Sequence, residues 1–318
     1  MNRRWLVRGV VGSAVAALAA IVLIGTPAAA LTTGNTGSGR PALATVGSRL
    51  YVGWAGSSGT AAAKDLVVGY STSAGLRIVK VADNERVPQG QGPALSGDGS
   101  GVFLAWPAGD NGNTLTAAYT TGATLTCRTS FAGIVTPFAP ALAVDPAGKR
   151  LLAWVDPGGH VNVARLNSST CATTQTMTLT NRIVLHETAV AGPALVYDDS
   201  GSSNLGFVLA WATGDATHSL KVASYVGSSA LTNRSQVASP VGTTAAPGLS
   251  SAVADLYVTF RGDDGSVYFG YSEGCVPTCF NAANIGQVAA AGVGQPADGN
   301  YRYYAYFDLS GHLVINRL

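Results

Sequence analysis

The chain has 318 residues, 47% of them hydrophobic and only 11% charged, with 40 glycines and a formal net charge of +2. That apolar content excludes disorder. Without Arg3, Arg4 and Arg8 of the amino-terminal segment, the 19 basic side chains fall to 16 against 17 acidic ones. No basic cluster remains, which argues against nucleic acid or an anionic membrane surface as a partner.

Met1 to Arg8 is basic, Gly9 to Ile24 is apolar, and Ala28-Ala29-Ala30 fits a small-residue cleavage site. Residues 1–30 therefore read as a secretory signal peptide, and the mature protein as secreted and extracellular. The apolar core is short for a membrane-spanning helix, so no membrane attachment is expected after cleavage. Leu31 to Gly39 is a polar lead-in rich in Gly and Thr.

From Arg40 onward the chain repeats itself. Pro-Ala-Leu or a close variant occurs at Pro41, Pro93, Pro140, Pro193, Pro247 and Pro296. Each copy is followed by a short apolar run ending in a ring: Trp54, Trp106, Trp154, Trp211, Phe260 and Tyr306. A turn rich in Gly and Asp comes next, then a second apolar run such as Leu66 to Tyr70 or Val267 to Tyr271. Short runs rich in Val, Tyr, Phe and Leu between Gly, Asp and Ser are strands joined by hairpins. A period near 50 residues with four strands per copy is the size of one β-propeller blade. The expected fold is all-β: one six-bladed propeller of four-stranded antiparallel blades over residues 31–318.

The residue before the terminal ring is small in all six copies: Gly53, Ala105, Ala153, Ala210, Thr259 and Ala305. A blade is packed on both faces, so small residues on one face leave room for a neighbour's ring. The sixth copy stops after its third strand, which would expose an unpaired edge. The lead-in at 31–39 is the spare segment expected to fill it.

Four cysteines in a secreted chain read as two disulfides. Cys275 and Cys279 would pin a hairpin in the fifth blade; Cys127 and Cys171 would staple the second blade to the third. No metal or cofactor is expected, since a Cys-x3-Cys pair lacks further ligands nearby. Asp98, Asp110, Asp156, Asp215, Asp263 and Asp308 lie in or beside predicted turns, where backbone capping is their ordinary role. The mature chain has three glutamates, Glu85, Glu187 and Glu273, which supply a Glu-based glycosidase pair poorly, and no catalytic residue is assigned. Candidate binding residues are the terminal rings Trp54, Trp106, Trp154, Trp211 and Tyr306, because sugars stack on aromatic faces, and Arg261, which directly follows Phe260. The competing reading makes the rings blade-to-blade core.

At these residues the chain resembles the secreted bacterial propellers whose blades carry Pro-Ala-Leu-Ala followed by Leu-Tyr-Leu-Ala-Trp-x-Gly. Those are sialidase-like in fold, and the six-bladed fucose-binding lectins share the architecture. The resemblance covers Arg40 to Leu318 and rests on the structural repeat. It implies a monomeric binding module for a glycan or another extracellular component, a protein included. The alternatives it leaves open are a diverged sialidase-like glycoside hydrolase and a purely structural or protein-interaction propeller.

Overall fold

Alternation of apolar runs with Gly and Asp turns leaves the backbone one economical solution, a succession of antiparallel hairpins. The computed structural model describes residues 28–72, 75–79, 85–109, 111–122, 124–168, 176–198, 206–227, 231–252, 255–272, 280–296 and 303–317, and all its named elements are strands. The second repeat is typical. Ala94–Gly97 lies innermost, Val102–Ala108 and Thr114–Thr120 follow, and Thr126–Val135 is outermost. Their register runs Ala94↔Ala105, Ala105↔Ala117 and Ala117↔Thr129. The third, fourth and fifth repeats form equivalent four-stranded sheets.

The first and sixth repeats depart from the expected six separate sheets. They share a single seven-stranded sheet, so the described chain has five sheets for six repeats. The cause is one long strand, Ala28–Val46. Its first part pairs with His312–Arg317 through Leu31↔Ile315 and Thr36↔His312. Its second part pairs with Arg49–Gly59 through Ala42↔Gly53 and Val46↔Arg49. The partner changes after Thr36, where pairing to His312 gives way to Gly37↔Gly56, and the register then shifts around Gly39, whose φ of +77° is left-handed. A Cβ there would also meet the Gln91 carbonyl oxygen at 2.2 Å.

Among the described residues, six apolar clusters seal six junctions. Trp106 packs with Ala42, Ala55 and Leu95 between the first and second blades. Trp154 sits with Ala105, Trp211 with Ala153, and Phe260 with Ala210. Tyr306 joins Val267 and Val293 at the fifth junction. Trp54 joins Ala305 and Phe307, which closes the ring. At four junctions the small residue before one ring, Ala105, Ala153, Ala210 or Ala305, thus shares a cluster with the next blade's ring. Gly53 shows how tight the fit is: a Cβ there would lie 2.6 Å from Leu95 Cδ1 of the second blade.

Ion pairs tie the outer strands. Arg128 pairs with Glu85 across the first junction, and Arg234 with Glu187 across the third. Cys127 is half-buried at the start of its outer strand; Cys171, Cys275, Cys279, Glu273, Asp110 and most of the leader lie outside the described residues.

Two outcomes test this packing. Trp106 is fully buried, and its indole N–H has no hydrogen-bond partner among the described residues. Trp106→Ala should cost about 3–5 kcal/mol in urea unfolding, and Trp106→Phe less than half of that, because only volume is lost. Deleting Leu31 to Thr36 bares the edge of His312–Arg317. The shortened protein should unfold at lower temperature and self-associate on size-exclusion chromatography.

Candidate functional site

The two rims of the propeller differ in chemistry. One carries the hairpins between first and second strands, and the other carries those between second and third strands. The terminal rings lie toward the second rim, and the structure removes them from reach of a ligand. Trp54, Trp106, Trp154, Trp211 and Tyr306 are all buried. Their faces are covered by the neighbouring blade, so a sugar has nothing to stack on; this corrects their assignment as binding residues. Tyr306 also donates its hydroxyl proton to Gln287 Oε1 at 2.7 Å and stacks on Tyr304. Arg261 is half-buried, and its Nε donates to the Ala289 carbonyl at 2.7 Å. It joins the fifth blade to the connection leading into the sixth.

The turn aspartates of the second rim are backbone caps. Asp156 Oδ1 accepts from the backbone N–H of Gly158 and His160, and Asp308 Oδ1 from those of Ser310 and His312. Burial pushes the Asp156 carboxyl up, but the bonds from Asn162, His160 and Gly158 outweigh it and hold the group below its ordinary value. Asp263 does something else. Its Oδ1 accepts from Thr244 N at 2.9 Å and Thr244 Oγ1 at 3.0 Å, while Oδ2 lies 3.5 Å from His218 Nδ1 of the fourth blade. Its neighbour Asp264 instead accepts from Ser266 N and the Tyr268 hydroxyl. Asp198 is buried and accepts from Ser251 Oγ at 2.8 Å. Among the described residues no group of three or more His, Cys, Asp or Glu gathers in a way that could hold a metal ion.

The first rim has the more versatile chemistry, at the junction of the second and third blades. The turn after Ala94–Gly97 puts Asp98 at the surface, where its Oδ1 accepts from Ser100 N, Gly101 N and, at 3.3 Å, the Tyr119 hydroxyl. Strand register sets Phe103 opposite Tyr119, with ring centroids 4.6 Å apart. From the third blade, Arg150 lays its guanidinium over Phe103 at 4.3 Å from the ring centroid. Its Nη2 lies 3.9 Å from Asp98 Oδ2, beyond hydrogen-bond distance, and both side chains remain about one-fifth exposed. The Arg150 Nε is buried without a hydrogen-bond partner among the described residues. Half-buried Tyr119, a carboxylate oxygen and a guanidinium with donors to spare thus meet at one place.

Cation and ring pairs recur along this rim. Arg49 lies over Tyr70 at 5.1 Å, and Lys149 over Phe207 at 5.4 Å. Lys149 and Arg150 are adjacent, so they reach opposite neighbours, the fourth and second blades. None of these residues was singled out by motif. The repeat alignment held one signal, an aromatic residue three positions before the terminal ring at Tyr51, Phe103, Tyr257 and Tyr303.

The fold can be set beside known proteins. No family model matches the sequence, and no curated protein matches it. Among solved structures, the chain is similar to the Hadza microbial sialidase Hz136, with a TM-score of 0.58 and 14% identity, covering 87% of this chain and 64% of that one. It is similar to AofleA from Arthrobotrys oligospora, with a TM-score of 0.58 and 11% identity over 90% of this chain and 81% of the other. The SapL1 lectin in complex with alpha methyl fucoside gives 0.56 and 12%, over 88% and 96%. The chain spans just under two thirds of the sialidase's length. At these identities the likeness shows the fold alone: the chain is an all-β propeller.

Burial, and then the adjoining Asp98 carboxylate, push the Tyr119 hydroxyl up to about 12. Burial, and then Tyr306, do the same to Tyr304. A tyrosine whose folded pKa lies above its unfolded value of about 10 stabilises the fold fully below pH 10. That contribution is lost as pH rises through 12. Absorbance titration at 295 nm should show a late-ionising class, and Tyr119→Phe should reduce both that class and the loss of stability between pH 10 and 12.

Proposed function

We propose that the protein is a secreted propeller that binds glycans at its first rim, with the junction of the second and third blades as the principal site. One observation carries this reading: Tyr119, Asp98 and Arg150 converge there from two blades with donors and acceptors left over. Sugar recognition asks for an apolar ring beside a few oriented polar groups, and this junction supplies both. A guanidinium beside a carboxylate presents parallel N–H donors and an oxygen acceptor to adjacent hydroxyls, which suits a neutral sugar. The similarity to the SapL1 lectin, whose structure holds alpha methyl fucoside, supports a ligand of that class.

The hydrolase reading draws no specific support from the described residues. Glu85 and Glu187 are engaged in ion pairs between outer strands, and the turn aspartates cap backbone. In the favoured reading the leader is removed after Ala30, so the mature chain begins at Leu31, within the strand that joins the first and last repeats. An oxidising destination goes with bridges Cys127–Cys171 and Cys275–Cys279.

A glycan array probed with the mature protein should give a signal, weakened at least tenfold by Tyr119→Ala and by Arg150→Ala and retained by His312→Ala on the opposite rim. Silence across the array would remove the glycan reading. Loss of signal only with rim-two substitutions would move the site.

A further inference from the structure

The residue before the repeat proline is Gly92, Ala139, Gly192 and Ala246 in four of the repeats, but Gln295 in the sixth and Arg40 in the first. This position faces the axis of the ring. The inner strands there are crowded: a Cβ on Gly92 would come within 1.9 Å of the Arg40 carbonyl oxygen, and one on Gly192 within 2.1 Å of the Ala139 carbonyl oxygen. There is room for a long side chain from few of the six repeats, and Arg40 takes it.

The Arg40 side chain crosses the axis. Its Nη1 donates to the carbonyls of Pro193 at 2.9 Å and Pro247 at 2.7 Å, and its Nη2 to the carbonyl of Pro140 at 2.7 Å. Those oxygens belong to the fourth, fifth and third blades, on the far side of the ring. Each proline directly precedes its inner strand, whose ladder begins at Ala141, Ala194 or Gly248. Their carbonyls therefore stand outside the ladder and face the axis in need of a donor. Around the guanidinium the channel is lined by Leu95, Leu142, Leu195 and Leu249, and the remaining space is about 30 Å³.

Arg40 is only 7% exposed, and no carboxylate pairs with it among the described residues. Burial lowers its pKa to about 10, which still leaves a cation at physiological pH. An unpaired buried cation is costly unless dipoles replace its water. Rings of backbone carbonyls are a known way to do that.

We infer that the axis of this propeller is a guanidinium site, a carbonyl cage built by the third, fourth and fifth blades, and that Arg40 is its resident tethered ligand, pinning the strand that closes the ring. The chemical class follows from the geometry: a planar guanidinium divides three carbonyls between two nitrogens, Pro193 and Pro247 on Nη1 and Pro140 on Nη2, whereas a quaternary ammonium has no N–H to donate. The pin and the closure also share one segment, since Thr36 pairs with His312 and Ala42 with Gly53 on either side of Arg40.

The test is chemical rescue. Arg40→Ala should empty the cage and lower the thermal midpoint by roughly 10 °C. Methylguanidinium chloride at 10 mM should then restore at least half of that loss, saturably, and should leave the wild type unmoved. Tetramethylammonium chloride at the same ionic strength should restore nothing. Arg40→Met, which fills the channel without charge, should be destabilised and indifferent to methylguanidinium. If Arg40→Ala does not accumulate as folded protein, refolding yield from urea replaces the midpoint, and it should rise with methylguanidinium alone. The inference is overturned if Arg40→Ala or Arg40→Met unfolds within 2 °C of the wild type. It is equally overturned if methylguanidinium acts on wild type and Arg40→Ala alike, or if neither midpoint nor yield responds to it.

Discussion

A four-stranded sheet of this composition has two apolar faces and no means of covering either. Everything else in the molecule follows from how that is resolved. Each blade offers a large ring on one side and a small residue on the other, so that Trp154 enters the space left by Ala105, and Trp211 the space left by Ala153. A ring fitted to a socket sets the spacing between blades as well as their attraction. It also explains the low charge content, since little of the three inner strands of a blade meets water.

Closure is handled by hydrogen bonds rather than by rings alone. A blade built only from the end of the chain would leave an open edge. The strand from Ala28 to Val46 removes it by belonging to the last blade and the first in succession. The same strand carries Arg40 to the axis, so edge, core and centre are joined within about a dozen residues. Rigidity matters for a site such as Asp98, Tyr119 and Arg150, whose members belong to different blades and are brought into place only by the angle between them.

Much of this was legible in the sequence. The prolines at 41, 93, 140, 193, 247 and 296 give the period, and the small residues before the rings give the packing partner. Asp156 and Asp308 cap turns as their Gly-rich contexts suggest. The division of rings between core and surface was not legible, because the same tryptophan fits a socket or a sugar. What decides is the neighbouring blade, and no local pattern records its distance. Asp98 shows a subtler limit: it does cap its turn, but with one oxygen, leaving the other toward Arg150. Arg40 left a trace, as one of two long side chains, with Gln295, in a column otherwise of Gly and Ala, yet nothing in one strand reveals that three distant carbonyls converge on it.

The shared strand has a bearing on how the protein comes into being. Leu31 finds its partner at Ile315, close to three hundred positions further along. A chain that emerges amino end first must carry this segment unpaired while five blades form behind it. Contacts so remote in sequence are slow to make. The circle cannot shut before Arg317 is present, and until then both edges are open to the wrong partner.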